Sequence, residues 1–326
     1  MAASDLTIRR QQDRIVPGFD VAVGRTNVGI LVLGGNLLRP AGRYRLLMLG
    51  ALTLLPALHR PARAAPQPLW SVLPPMPSLP ASARSGYKQV NGIRMWYAEY
   101  GAGKPVLLLH GGLANSNYWG NLVPFLVAHH RLVIVADSRG HGRSNRTRQP
   151  FGYDLMTSDV LRLLDQLGIA RVDLVGWSDG GIIGLDLAMH DPSRIDHLFA
   201  FGANTDPSGL RKNFDRTPVF GGFIRRTRTE YQALSPTPDQ YDLFVRQIGQ
   251  MWQSEPHWTR ADLATITTPT TIADGDHDEA IRQEHDRFMA AAIPGAKLVV
   301  LPGVSHFAML QAPDPFNHAV LDAITP

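Results

Sequence analysis

Ser178 stands between two glycines in Gly176-Trp177-Ser178-Asp179-Gly180, the pattern G-x-S-x-G. A short apolar run, Val172–Val175, precedes it, and apolar residues at helical spacing from Ile182 to Met189 follow. Strand, sharp turn and helix is the simple reading. At such a turn a β-carbon at 176 or 180 collides with the neighbouring strand and helix, and the tip residue takes a strained backbone. The geometry lifts the serine hydroxyl clear of the sheet. It also points the Asp179 N–H, in the first helical turn, at the place where an oxyanion would form. A serine hydroxyl is a weak nucleophile at neutral pH and needs a base within hydrogen-bond reach. The base in turn needs a buried carboxylate to hold its tautomer. Downstream lie candidates for both. Asp274-Gly275-Asp276-His277-Asp278-Glu279 supplies three aspartates, and Gly303-Val304-Ser305-His306-Phe307 supplies an imidazole. Asp137, His277 and His318 are weaker rivals, and His110 and His141, flanked by glycines, read as structural braces.

Elements that bring these residues together are visible along the chain. Tyr87–Val90 and Ile93–Tyr100 flank Asn91-Gly92, a hairpin signal. Val106–Leu109 and Leu132–Ala136 are continuous apolar runs, as strands buried on both faces require. His110-Gly111-Gly112 closes the first of them, and a helix over Tyr118–Ala128 is expected between the two. Asp154–Leu167 places 155, 160, 163, 164 and 167 on one helical face. The strand Ile195–Phe201 follows the elbow helix; later come Thr270–Ala273, a helix at about 281–292, the strand Lys297–Leu301 and a last helix after Pro315. This alternation predicts an α/β fold: a mostly parallel, doubly wound sheet of about eight strands with helices on both faces. The rhythm breaks between 205 and 262, where prolines and aromatics including Phe214, Phe220, Phe223 and Trp252 read as a small helical cap over an apolar substrate.

Composition narrows the function. The 326 residues include no cysteine, which excludes disulfides and thiolate metal sites. Residues 1–64 hold nine arginines against three acids, while the remainder holds 23 basic against 25 acidic residues. The basic character thus sits in the leader, and the folded part carries no nucleic-acid footprint. The acidic run at 274–279 lacks the glycine at position six and the glutamate at position twelve of a calcium loop, and no phosphate loop or dinucleotide fingerprint is present. No metal and no cofactor is expected. Arg43-Tyr44-Arg45, the uncharged run Leu46–Leu58 and Ala62-Arg63-Ala64 describe a signal-peptide-like segment at 43–64, unusual in having about forty residues before it. The run is shorter than the roughly 20 residues of a stable membrane span. The chain therefore divides into a leader, 1–65, a proline-rich extended linker, 66–86, and a folded domain, 87–326. A secreted or periplasmic protein is expected, a cytoplasmic one being the alternative.

Taken together, HGG at 110–112, DSRGHGRS at 137–144, GWSDGG at 176–181, GDHD at 275–278 and GVSHF at 303–307 resemble the α/β-hydrolase fold superfamily from about Tyr87 onward. Within it, GWSDGG followed by Phe201-Gly202-Ala203-Asn204 is most similar to the valacyclovir-hydrolase-like (biphenyl hydrolase-like) group. The resemblance implies Ser178 as nucleophile, His306 as base and Asp278, three residues after Gly275, as acid, with Asp276 its rival. It further implies an oxyanion hole formed by the N–H groups of Asp179 and Gly112, with Leu113 as the other candidate for the second donor. Leu113, Trp177 and Phe307, beside these motifs, are expected to contact the substrate. The implied activity is cofactor-independent hydrolysis of a small carboxylic ester. C–C bond hydrolysis, other non-ester chemistry on the same fold and a non-catalytic ligand receptor remain as alternatives. In the named group the residue after the nucleophile, Asp179 here, offers its carboxylate to a substrate α-ammonium.

Overall fold

Asn91 and Gly92 both take positive φ, 43° and 81°, and join β1 (Arg84–Val90) to β2 (Ile93–Tyr100) as an antiparallel hairpin. The computed structural model describes residues 67–325; the leader at 1–65, with its signal-peptide-like segment at 43–64, lies outside the described residues. β1 begins three residues before the apolar pattern suggests. Arg84 sits opposite Glu99 and donates to both of its carboxylate oxygens, at 2.8 and 2.6 Å.

The remaining strands are β3 (Lys104–Leu109), β4 (Arg131–Ala136), β5 (Val172–Trp177), β6 (Ile195–Phe201), β7 (Thr270–Gly275) and β8 (Lys297–Leu301). Among the described residues they form one eight-stranded sheet in the order β1-β2-β4-β3-β5-β6-β7-β8. β1–β2 and β2–β4 pair antiparallel, and every later pair is parallel. All six residues of β5 are buried, which is why the strand reads as an unbroken apolar run apart from Asp173. The buried carboxylate of Asp173 pairs with Arg131 and with Lys104 at the far end of the sheet.

Helices α1 (Leu122–Ala128), α2 (Tyr153–Leu167) and α3 (Asp179–His190) follow β3, β4 and β5. The stretch between β6 and β7 carries the cap helices α4 (Pro218–Leu234), α5 (Tyr241–Ser254) and α6 (Arg260–Leu263). The chain then returns through α7 (Gln283–Ala292), α8 (Ala308–Gln311) and α9 (Pro313–Ile324). α2 packs on α3 and α1 on α9, while α3 and α9 both touch β6, so the sheet is covered on two faces.

The helix expected over 118–128 is two pieces, a 3-10 turn at Ser116–Trp119 and then α1. Gly120 separates them at a point where a β-carbon would lie 2.6 Å from the Ser78 carbonyl oxygen. That carbonyl belongs to the proline-rich stretch, which is packed along the domain. Leu73, Met76 and Leu79 lie against the core, Gln311 Nε2 donates to the Val72 carbonyl (2.9 Å), and Arg226 donates to that of Leu73 (3.1 Å). Among the described residues no helix is long and apolar enough to cross a membrane.

The loop at 137–144 is fixed by a buried ion pair. Arg139 donates from Nε and one terminal nitrogen to Asp159 on α2, at 2.6 and 2.7 Å, with both side chains 1% exposed. Burial pushes the Asp159 carboxyl up, against the pull of Arg139. Removing one partner of such a pair leaves an uncompensated charge indoors, whereas replacing both with apolar groups does not. Arg139→Ala is expected to lower unfolding free energy by about 3–5 kcal/mol, measured by urea denaturation. The double variant Arg139→Met/Asp159→Leu is expected to recover most of that loss.

Candidate active site

Ser178 adopts φ 53° and ψ −118°, a left-handed conformation that a β-carbon-bearing residue avoids unless held there. Two backbone bonds hold it. Its N–H donates to the Phe201 carbonyl on β6 (2.8 Å), and its carbonyl accepts from Ile182 on α3 (3.0 Å). The flanking glycines are required by contact: a β-carbon on Gly176 would overlap the Gly180 carbonyl, and one on Gly180 would overlap the Leu109 carbonyl on β3. Strand β3, strand β5 and the start of α3 therefore meet at van der Waals contact beneath the serine. The Asp179 N–H is the first of α3 and has no intrahelical acceptor.

His306, in the loop after β8, places Nδ1 2.6 Å from Asp278 Oδ2. The other Asp278 oxygen accepts from the Ala280 and Ile281 N–H groups, at 2.5 and 2.8 Å. Both side chains are buried, His306 at 1% and Asp278 at 3% exposure. Burial opposes the Asp278 charge, yet the His306 ring and the hydrogen bonds outweigh it and hold the carboxyl below the usual range. The mirror effect acts on His306: burial works against the imidazolium, and the Asp278 carboxylate prevails and raises it.

The rival groups are engaged elsewhere. Asp276 accepts from Gly303 (2.7 Å), Val304 (3.3 Å) and His277 Nδ1 (2.7 Å), tying the loops after β7 and β8 together. Asp137 accepts from Ser116 and from Arg143. His277 is exposed and stacks on Trp70 at 4.6 Å, and His318 lies edge-on to Phe125. His110 donates through Nδ1 to the Gly111 carbonyl (2.8 Å) and accepts at Nε2 from Ser138 N–H (3.0 Å). His141 donates to the Arg139 carbonyl. Burial holds both of these imidazoles below their ordinary range, as suits neutral braces.

Ser178, Asp179 and His306 line one small cavity of about 20 Å³, walled by Asn204, Leu210, Phe214, Phe220, Trp252, Ala280 and Ile281. No hydrogen bond joins the Ser178 hydroxyl to His306, although both line the cavity. The cap aromatics Phe214, Phe220 and Trp252 stand over the serine, as a lid would. The expected contact residues Leu113, Trp177 and Phe307 do not line this cavity. Their side chains are buried one layer back: the Trp177 ring packs against Tyr118 (5.4 Å), Phe307 (5.6 Å) and His306 (5.8 Å).

Asp179 presents an unusual group. Its Oδ1 accepts from Tyr153 Oη (3.0 Å) and Trp252 Nε1 (2.8 Å), while its buried Oδ2 has no donor. A β-carbon on Gly112 would come within 2.5 Å of that Oδ2 and of the Trp252 ring, so only glycine lets the loop after β3 approach the carboxylate. Burial pushes the Asp179 carboxyl up to about 6, against the Trp252 and Tyr153 hydrogen bonds and the His306 charge. Sequence reasoning did not find Tyr153 or this role of Trp252. They lie 26 residues before and 73 after Asp179, on separate helices, and no local pattern links them. Asp274, Asp278 and His306 could each offer a metal one ligand atom within 4.8 Å of the others. The nearest of these atoms, His306 Nδ1 and Asp278 Oδ2, are already hydrogen-bonded to each other.

Residues 106–319 match the profile of the Alpha/beta hydrolase family, and the chain belongs to that family. It is 28% identical over 310 residues to the human serine hydrolase BPHL, spanning 90% of this chain and 99% of the relative. It is 27% identical over 248 residues to the putative carbamate hydrolase RutD of Azorhizobium caulinodans, covering 70% and 93% of the two chains. In fold it is similar to the enol-lactonase of Burkholderia xenovorans LB400, with a TM-score of 0.60 and 24% identity over 74% of this chain and 100% of the other.

The His306 environment yields a measurable contrast. Asp278→Asn is expected to lower the His306 pKa by about one unit or more, because the neighbouring charge that raises it is gone. Asp276→Asn is expected to leave it in place. Titration of the ring protons by NMR reads both.

Proposed function

We propose that this chain is a serine hydrolase that cleaves a small carboxylic ester through an acyl-enzyme. The carrying observation is the shared cavity. Ser178, raised on its elbow, and His306, whose Nδ1 is held by buried Asp278, face the same narrow space. In this reading His306 Nε2 takes the hydroxyl proton as Oγ attacks the acyl carbon, and Asp278 stabilises the imidazolium. The N–H groups of Asp179 and Gly112 receive the oxyanion. The alcohol leaves with the proton from His306, and water activated by the same ring releases the acid. In the same proposal the protein is exported, with the leader at 1–65 as its address.

A second feature refines the substrate. Asp179 Oδ2 is a buried carboxylate oxygen with no donor at the cavity wall, and a substrate α-ammonium would satisfy it. The sign of its pH dependence follows from the raised carboxyl: Asp179 is ionised above about 6 and neutral below, so ammonium recognition fades as pH falls through that value.

Labelling by a fluorophosphonate probe is expected in the wild type and lost in Ser178→Ala and His306→Ala. The ester kcat of these variants is expected to fall by about 10⁴-fold or more. Asp276→Asn is expected to stay active. For paired esters with and without an α-amino group, Asp179→Asn is expected to erase a preference of about 10–100-fold, the worth of a charge-assisted hydrogen bond. Equal KM values for the two esters in the wild type would remove the amine subsite while leaving the hydrolase reading intact.

A further inference from the structure

Beyond Asp278 the structure buries more acid than an aspartate–histidine pair requires. Asp274, in β7, and Asp286, in the first turn of α7, are 0% and 1% exposed. A carboxyl oxygen of Asp274, one of Asp278 and a ring nitrogen of His306 all lie within 4.8 Å of one another. Asp274 Oδ1 accepts from the Gly275 N–H at 2.8 Å. Its Oδ2 and both oxygens of Asp286 meet no N–H or hydroxyl donor. Two buried carboxyl groups this close do not both stay ionised, since like charges sharing a site drive one of them to hold its proton.

The surrounding charges do not supply an alternative. Glu279, next to Asp278, receives the His306 N–H at 3.4 Å on one oxygen and nothing on the other. The cations that face the group are His306 and, from α7, Arg287. Arg287 is mostly exposed and lies 3.9 Å from Glu284. Asp179 is the carboxylate on the far side of His306. Burial, reinforced by the neighbouring acids, drives Asp274 well above the carboxylate range, and burial brings Asp286 and Glu279 to about 7. Asp278 alone moves the other way.

We propose that Asp274 is carried as the neutral acid and donates an O–H···O hydrogen bond to Asp278, acting as a positioning residue for the Asp278–His306 pair. Asp278 then has its lone-pair sites filled by four donors: Ala280 N–H, Ile281 N–H, His306 Nδ1–H and Asp274 O–H. So held, the carboxylate cannot rotate away from the ring. A neutral Asp274 also spares His306 one more nearby anion, which would raise its pKa further and leave less free base at neutral pH. The protonation stands by itself; its kinetic consequence rests on the serine-hydrolase reading.

The deciding experiment follows the His306 titration by NMR in the intact protein and in Asp274→Asn. The amide keeps the shape and the donor, so an unchanged His306 pKa is expected. If Asp274 is a carboxylate, the variant removes a negative charge beside the ring and lowers that pKa by about one unit, which overturns the proposal. Ester kinetics add a second reading. Asp274→Ala is expected to cut kcat about tenfold with KM unchanged, from loss of one charge-assisted hydrogen bond, and Asp274→Asn to restore it. Wild-type kcat in the alanine variant, or equal damage in both, overturns the proposal. Should the alanine variant not fold, the titration of Asp274→Asn decides alone. If the wild type neither hydrolyses esters nor takes the fluorophosphonate label, the function reading fails and the titration still stands.

Discussion

The backbone at Ser178 is forced into a left-handed turn because three elements converge under it with no room for a side chain. β5 delivers the residue, β3 closes against Gly180, and α3 starts at once against Gly176. The strain of φ 53° is borne by the Phe201 and Ile182 backbone bonds. Everything that faces the serine is positioned from this point. The first N–H of α3 falls beside the hydroxyl, and Asp179 turns its carboxylate to the cavity wall. The loops after β7 and β8 supply Asp278 and His306 at the same sheet edge, as open parallel sheets bring ligand-facing groups to the carboxyl ends of their strands.

Two carboxylates near that hydroxyl live in opposite environments. Asp278 is surrounded by N–H donors and an imidazole and stays ionised. Asp179 is just as buried, but one of its oxygens has no donor, and its carboxyl is pushed up to about 6. The first is complete without ligand, the second incomplete. In the proposed function that difference separates the group assigned to orient the base from the group offered to a substrate, and it arises from hydrogen-bond supply rather than from residue type.

Much of this was legible in the sequence because it depends on local rules. The glycines around Ser178, the buried apolar runs of β3 to β5 and the Asn91-Gly92 turn each require a specific residue at a specific place. The spacing from Gly275 to Asp278 and the loop after β8 carried the rest of the resemblance. What escaped depends on contacts between distant segments. Nothing near Tyr153 or Trp252 shows that they converge on Asp179. The break at Gly120 is set by the Ser78 carbonyl, from a stretch that composition reads only as extended. Leu113, Trp177 and Phe307 are adjacent to the reactive groups in sequence, but packing turns their side chains into the layer behind the cavity.

The proline-rich stretch has a bearing on how the site is assembled. Gln311 Nε2 donates to the Val72 carbonyl 239 residues away and to the Ser305 hydroxyl oxygen, while its Oε1 accepts from the Ser305 N–H next to His306. The loop that carries the imidazole is thus braced by the two extremes of the described chain. A growing polypeptide cannot complete that brace until Gln311 has been synthesised, after every strand of the sheet. The setting of the His306 loop is therefore decided by a contact that closes the first described residues onto the segment after the last strand.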